Sequence, residues 1–152
     1  MNLKLSFNIK LMGNKTSSSI KINYEDIQYA IKNNSSHLLI NTLSYSEQDC
    51  LIPNTILSDK EEHIINTLMK NGNKNVKIII YGKNSNDDKI YNKYEQLTSL
   101  GFNNVYVYPG GLFEWLMLQD IYGDKEFPTT KKELDILKFK ANKVLNVQLL
   151  EY

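Results

Sequence analysis

A single cysteine, Cys50, is the chain's whole supply of thiol. One thiol can neither close an intrachain disulfide nor join other thiolates around a zinc ion, and this usage fits a reducing compartment. Long apolar runs are missing as well. None approaches the roughly 18 residues that span a bilayer, and the N-terminus lacks the uninterrupted apolar core of a secretory signal. These absences lead us to expect a soluble, cytoplasmic protein with no membrane role. Charge of one sign is also lacking: 18 basic side chains against 17 acidic ones leave a formal net charge of +1, so no global field draws the chain to nucleic acid or membrane. His63 follows Asp59 by four residues, but no second histidine completes a ligand set, so no metal or cofactor is expected. Alanine, glycine and arginine are scarce where asparagine, lysine, isoleucine and tyrosine abound. Such a bias is what an AT-rich coding sequence produces, and it carries no mechanistic weight.

With 41% hydrophobic and 11% aromatic residues in 152, the chain has the material for one good core and reads as one domain. Its organising stretch runs from Val76 to Asp88. A run of β-branched apolar residues ends at Gly82 and a polar loop, and a helix-period pattern follows from Lys89 to Leu100, which reads as buried strand, loop, helix. In open α/β sheets ligands bind at the carboxyl ends of strands. The loop amides and the helix N-terminus behind them would make an anion cradle.

Around this centre the elements follow in order. Leu3, Leu5, Phe7, Ile9 and Leu11 alternate with polar residues, as a strand with one buried face does. Such a strand packs on the domain's own core or pairs with another chain. Gly13 to Ser19 reads as a loop. Ile20 to Ile22 suits a short strand, and Asn23 with Asp26 suits a capped helix start. His37 to Leu43 is a near-continuous apolar strand. Ser58 with Glu61 reads as a capping box, followed by the stripe Ile64, Ile65, Leu68 and Met69. Ile90, Tyr94, Leu97 and Leu100 line the helix after the central loop, which Gly101 ends, and Asp87 is a reasonable cap for its start. Val105 and Val107 continue the sheet. One face of the helix beginning at Leu112 cannot hold Phe113, Trp115, Leu116, Met117 and Leu118 together, so the tail or a partner must cover the rest. In the tail, Thr130 and Glu133 suggest a short capped helix with Leu134, Leu137 and Ala141 on one side and Ile136 and Phe139 elsewhere. Val144, Val147, Leu149 and Leu150 have strand character and could pair with the N-terminal strand.

Several of these segments occur in a familiar order. Ile78-Ile79-Ile80-Tyr81, a loop, a helix ending Leu100-Gly101-Phe102, and Asn104 through Pro109-Gly110-Gly111 to Trp115 resemble the second half of a rhodanese-like domain. His37 to Leu43 and Leu51-Ile52-Pro53-Asn54-Thr55-Ile56 resemble its first half. The resemblance covers residues 20–122, leaving extensions at 1–19 and 123–152. It implies a three-layer α/β/α fold on a mostly parallel five-stranded sheet.

The resemblance also implies a nucleophilic cysteine directly after the strand, opening a loop that holds a persulfide. Here that position is Gly82, which has no side chain to carry sulfur. The loop Gly82, Lys83, Asn84, Ser85, Asn86, Asp87 also lacks the arginine that often closes the family's loop, and Asp87 and Asp88 would repel an incoming anion. The family's aspartate after the first core strand is Asn41, read as bonding to nearby backbone. The function expected is therefore that of a catalytically inactive domain serving as a protein-interaction or structural module, with a protein partner or self-association. The alternatives are a thiosulfate or persulfide sulfurtransferase working through Cys50, and small-anion binding at the Gly82 loop. Against the first stands the simpler reading of Cys50 as a small loop residue beside Leu51 and Ile52, with Asp49 disfavouring thiolate.

Overall fold

A computed structural model describes residues 19–145. The alternating segment 3–11 and the terminal Val147, Leu149 and Leu150 lie outside the described residues. Four parallel strands form one sheet in the order β2-β1-β3-β4: β1 is His37–Asn41, β2 Thr55–Ile56, β3 Lys77–Tyr81 and β4 Asn104–Tyr108. Parallel neighbours require crossovers, and helices supply them. Helix α2, Glu61–Lys70, leads from β2 to β3, and α3, Lys89–Ser99, from β3 to β4. Helix α1, Tyr24–Lys32, precedes β1, and α4, Gly111–Tyr122, follows β4.

The expected fifth strand is reduced to one bridge. Lys21 pairs with Val107, with Ile22 N–H donating to Val107 O and Val107 N–H to Ile20 O, both at 2.9 Å. The pairing stops because the next residue begins a helix. Asn23 Oδ1 accepts from the Glu25 amide at 2.8 Å and from the Asp26 amide at 3.4 Å, and Asp26 Oδ2 accepts from the Asn23 amide at 3.1 Å, which completes the reciprocal box between Asn23 and Asp26.

Alternation along each strand divides the core between two faces. Leu39, Ile79, Tyr81 and Tyr108 join Ile27 and Ala30 of α1 and Leu112, Trp115 and Leu116 of α4. Ile40, Ile78, Ile80, Val105 and Val107 join Ile65 of α2 and Ile90 and Leu97 of α3. Both faces are covered, which is why these strands are apolar throughout.

Two capping expectations fail. Helix α2 starts at Glu61, three residues after Ser58, whose buried hydroxyl has no hydrogen-bond partner among the described residues. Its amide donates instead to Gln48 Oε1 at 3.0 Å, which fixes the turn and leaves Ser58 outside the helix. Thr130 caps no helix either. It clasps the loop after β1, its N–H donating to Leu51 O and its Oγ1 to Asp49 O, both at 2.8 Å, while Oγ1 accepts from the Leu51 amide at 3.0 Å. The tail's only helical turn among the described residues is 3-10, Ile136–Phe139.

Of the two sides that the sequence distinguishes in the tail, the one with Ile136 and Phe139 turns inward. Phe139 is buried and Ile136 packs beside it, whereas Leu134 and Leu137 face solvent. Phe127 stacks edge-on against Trp115 with ring centroids 5.0 Å apart, and Trp115 Nε1 donates to Pro128 O at 2.8 Å. The tail thus covers part of α4, and Met117, Ile121 and Tyr122 stay exposed.

Candidate functional site

The carboxyl ends of β1 and β3 meet where the polar loop leaves Tyr81. Register pairs Asn41 with Tyr81 and sets Thr42 beside Gly82, with the Thr42 amide donating to Tyr81 O at 3.0 Å. Gly82 has no left-handed φ, so its backbone would accept a side chain. The space does not. A Cβ built there would meet the Asp87 carboxylate first, then Thr42 Oγ1 at 2.8 Å.

Asp87 fills that space because the loop folds its carboxylate inward. Its Oδ2 accepts from the Lys83 amide at 3.1 Å and from Thr42 Oγ1 at 2.8 Å, and its Oδ1 accepts from the Lys89 amide at 3.1 Å. The side chain is 6% exposed. Asp87 therefore does not cap α3 in the expected way. Asp88 holds the cap position, without a side-chain cap bond, and Asp87 spans loop and helix start together.

Asn84 closes the loop from the other side. Its Oδ1 accepts from the Asn86 amide at 2.9 Å, and its Nδ2 donates to Phe139 O of the tail at 2.9 Å. The Asp87 amide donates to Asn84 O at 3.1 Å. Of the cradle's amides, those of Lys83, Asn86, Asp87 and Lys89 are thus occupied by the loop's own acceptors. Ser85 and Asn86 are exposed at the tip. Helix α4 also turns its first amides to the loop's carbonyls: Leu112 N–H donates to Gly82 O and Phe113 N–H to Lys83 O, both at 2.9 Å. Gly111 permits that approach, since its φ is +68° and a Cβ there would stand 2.8 Å from Gly82 O.

Lys83 pairs away from Asp87 and Asp88. Its Nζ lies 2.8 Å from Glu47 Oε2, on the 3-10 turn Tyr45–Glu47 that follows β1. Burial pushes the Glu47 carboxyl up, but hydrogen bonds from Lys83 and Ser44 outweigh it and hold Glu47 below the ordinary glutamate range. Lys89 Nζ stands 3.7 Å from Asp87 Oδ1. The sequence contains no arginine, so no bidentate guanidinium is available to grip an anion here.

Asn41 is buried and answers only to the chain. Its Oδ1 accepts from the Leu43 amide at 3.0 Å and from Gln48 Nε2 at 2.9 Å, and its Nδ2 donates to Gln48 Oε1 at 3.1 Å and Ile56 O at 3.2 Å. This paired-amide link ties β1, β2 and the 3-10 turn. The sequence does not single out Thr42 or Gln48, and it names Phe139 only as a tail residue, with no link to the loop. Thr42 was recoverable from the register of two parallel strands, whereas Phe139 reaches the loop only through tertiary packing.

Cys50 is 4% exposed, packed in the α1/α4 side of the core, with Sγ donating to Lys131 O at 3.3 Å. Burial is the main influence on its thiol and pushes the pKa up, against thiolate. The three atoms nearest the Gly82 Cβ position belong to Asp87 and Thr42.

A parallel sheet with helices on both faces, ending in a loop at the carboxyl edge with a second helix tied to it, defines a three-layer α/β domain with a loop-type site. The rhodanese-like domain model matches residues 27–118, more than half of the chain, and the chain belongs to the rhodanese-like domain family. No curated protein matches. Among solved structures, the polysulfide-sulfur transferase homodimer of Wolinella succinogenes is 16% identical over 89% of this chain and 96% of its own, with a TM-score of 0.55. A protein from Anabaena sp. is 16% identical over 77% of this chain and 97% of its own, with a TM-score of 0.53. Thiosulfate sulfurtransferase from Pseudomonas aeruginosa gives 15% identity and a TM-score of 0.53 over 65% of this chain, which spans 19% of that enzyme. At these identities the likeness is one of fold.

No helix among the described residues is long and apolar enough to cross a membrane.

Proposed function

We propose that this chain is a catalytically inactive rhodanese-like domain that serves as a protein-interaction or structural module. One observation carries the reading: at the loop's first position stands Gly82, and the volume a nucleophile would need is held by the Asp87 carboxylate, itself tied to the Lys83 and Lys89 amides. Sulfur transfer needs a thiolate that attacks the outer sulfur of thiosulfate, forms a persulfide and expels sulfite. Glycine offers no such atom, and a buried carboxylate repels the incoming dianion. Cys50 is a poor substitute, since it is buried and donates to Lys131 O.

The test is a thiosulfate and cyanide assay, with mass spectrometry for bound sulfur, on wild type, Cys50→Ser, Gly82→Cys and Gly82→Cys/Asp87→Ser. The reading expects inert wild type and Cys50→Ser, with persulfide appearing once Gly82→Cys is combined with removal of the carboxylate. Turnover by wild type that Cys50→Ser abolishes would replace it with a sulfurtransferase acting through Cys50.

A further inference from the structure

Two exposed surfaces of opposite character lie on opposite sides of the sheet. The first is the tail stretch that Phe139 and Ile136 pin to the α1/α4 side. On it Leu134 and Leu137 are 85% and 61% exposed. The same stretch of sequence carries Lys131, Lys132 and Lys138 against Glu133 and Asp135, and Lys140 and Lys143 follow it, with Lys140 lining the surface beside Asp87 and Asp88. Lys138 is paired with Glu133 at 2.8 Å and Lys131 lies 4.0 Å from Asp49, but Lys132, Lys140 and Lys143 have no carboxylate within 4 Å among the described residues.

The second surface is a cleft of about 600 Å³ between α2 and α3. It is lined by Asp59, Glu61 and Glu62 with Lys93, Asn66 and Gln96, and by Leu100 beside the buried Ile65 and Leu97. Lys93 neutralises Glu61 at 2.5 Å, whereas Asp59 and Glu62 have no basic partner within 4 Å among the described residues. Tyr45 borders the cleft and is largely exposed.

A stretch with unpaired lysines beside exposed leucines matches, in charge, a cleft that carries the unpaired carboxylates of Asp59 and Glu62. A chain cannot easily satisfy its own cleft, because no tail residue lines it and the two surfaces belong to the two separate halves of the core. We infer that copies of this chain associate head to tail, the Leu134–Leu137 stretch of one seated in the α2–α3 cleft of the next. This rests on the interaction-module reading and names its partner as a second copy. Donor and acceptor surfaces differ, so the contact is heterologous and continues past a dimer into a ring or an open chain. Leucine burial supplies adhesion, and the charges set register and salt dependence.

Sedimentation velocity on the full chain over rising concentration tests it, with a reversed tail (Lys132→Glu/Lys143→Glu), a reversed cleft (Asp59→Lys/Glu62→Lys) and their equimolar mixture. The wild type should associate, about tenfold more weakly in molar salt than in dilute buffer. Each variant alone should be monomeric, since its tail and cleft then carry like charge. The mixture should associate again, since each variant's tail now matches the other's cleft, and that rescue also demonstrates that both variants are folded. Wild type that stays monomeric, or a mixture that does not recover association, overturns the inference. So does monomeric wild type that co-sediments with phosphatidylserine vesicles through the same lysines, which would make the occupant a lipid surface. Thiosulfate treatment of the same samples separates the two readings: persulfide on an associating wild type removes the inactive-module reading alone, and an inert monomer removes this inference alone.

Discussion

The Asp87 carboxylate lies where a side chain on Gly82 would stand, and it is held there by the amides of Lys83 and Lys89 and the hydroxyl of Thr42. The loop thus supplies its own anion. Glycine at position 82 and the inward fold of the Asp87 carboxylate belong together, because a Cβ at position 82 would overlap that carboxylate.

This relationship predicts strong coupling between the two positions. Gly82→Cys should destabilise the wild-type background by more than it destabilises an Asp87→Ser background. The difference should be about 0.5–3 kcal/mol, as for residues in direct contact. Urea unfolding of the four proteins of that cycle measures it, and additive effects would mean that the carboxylate moves aside freely.

Asp87→Ala should cost about 1–3 kcal/mol, because it leaves amides unpaired beneath a nearly closed loop. A loss confined to a few tenths in chemical denaturation would show that water replaces the carboxylate without penalty.

Much of the fold is legible in the sequence, and particular residues show why the rest is not. Strands β1, β3 and β4 announce themselves through apolar residues at close spacing, as in Leu38-Leu39-Ile40 and Ile78-Ile79-Ile80, whereas β2, only Thr55–Ile56, is too short to leave such a run. The box at Asn23 and Asp26 is equally local and equally readable. Asp87 looked like a helix cap, because the helix start is local information while Thr42 arrives only through the register of β1 on β3. The capped helix expected at Thr130 and Glu133 is missing for a related reason. Helical spacing groups Leu134, Leu137 and Ala141 on one side, but a 3-10 turn anchored by Asn84 on Phe139 O buries Phe139 and packs the partly buried Ile136 against the core. The Ser58 box failed because Gln48 captures the Ser58 amide before the helix begins.

The tail makes its own prediction. Phe139→Ala should cost about 3–5 kcal/mol through lost burial and the cavity left behind, whereas Leu134→Ser should stay within about 0.5 kcal/mol of wild type at concentrations where the chain is monomeric. Thermal unfolding distinguishes them, and equal effects would contradict the inward face assigned to this segment.

Glu47 predicts a pH dependence of definite sign. Its folded-state pKa lies below the ordinary glutamate value, so the stability it contributes is present above that ordinary value and is lost as pH falls through the lowered one. Glu47→Gln should therefore be less stable than wild type at neutral pH, and the gap should narrow through the acid range. Denaturant midpoints across that range check it; a gap that widens on acidification would reverse the assignment of Lys83 to Glu47.

The most direct measurement is the intact mass of the wild-type chain after incubation with thiosulfate and, separately, with iodoacetamide at neutral pH. A loop filled by Asp87 and a buried Cys50 predict no added sulfur and no alkylation until the chain is unfolded, when one carbamidomethyl group should appear at Cys50. A native chain that takes up sulfur and loses that capacity on alkylation of Cys50 would contradict the account at its centre.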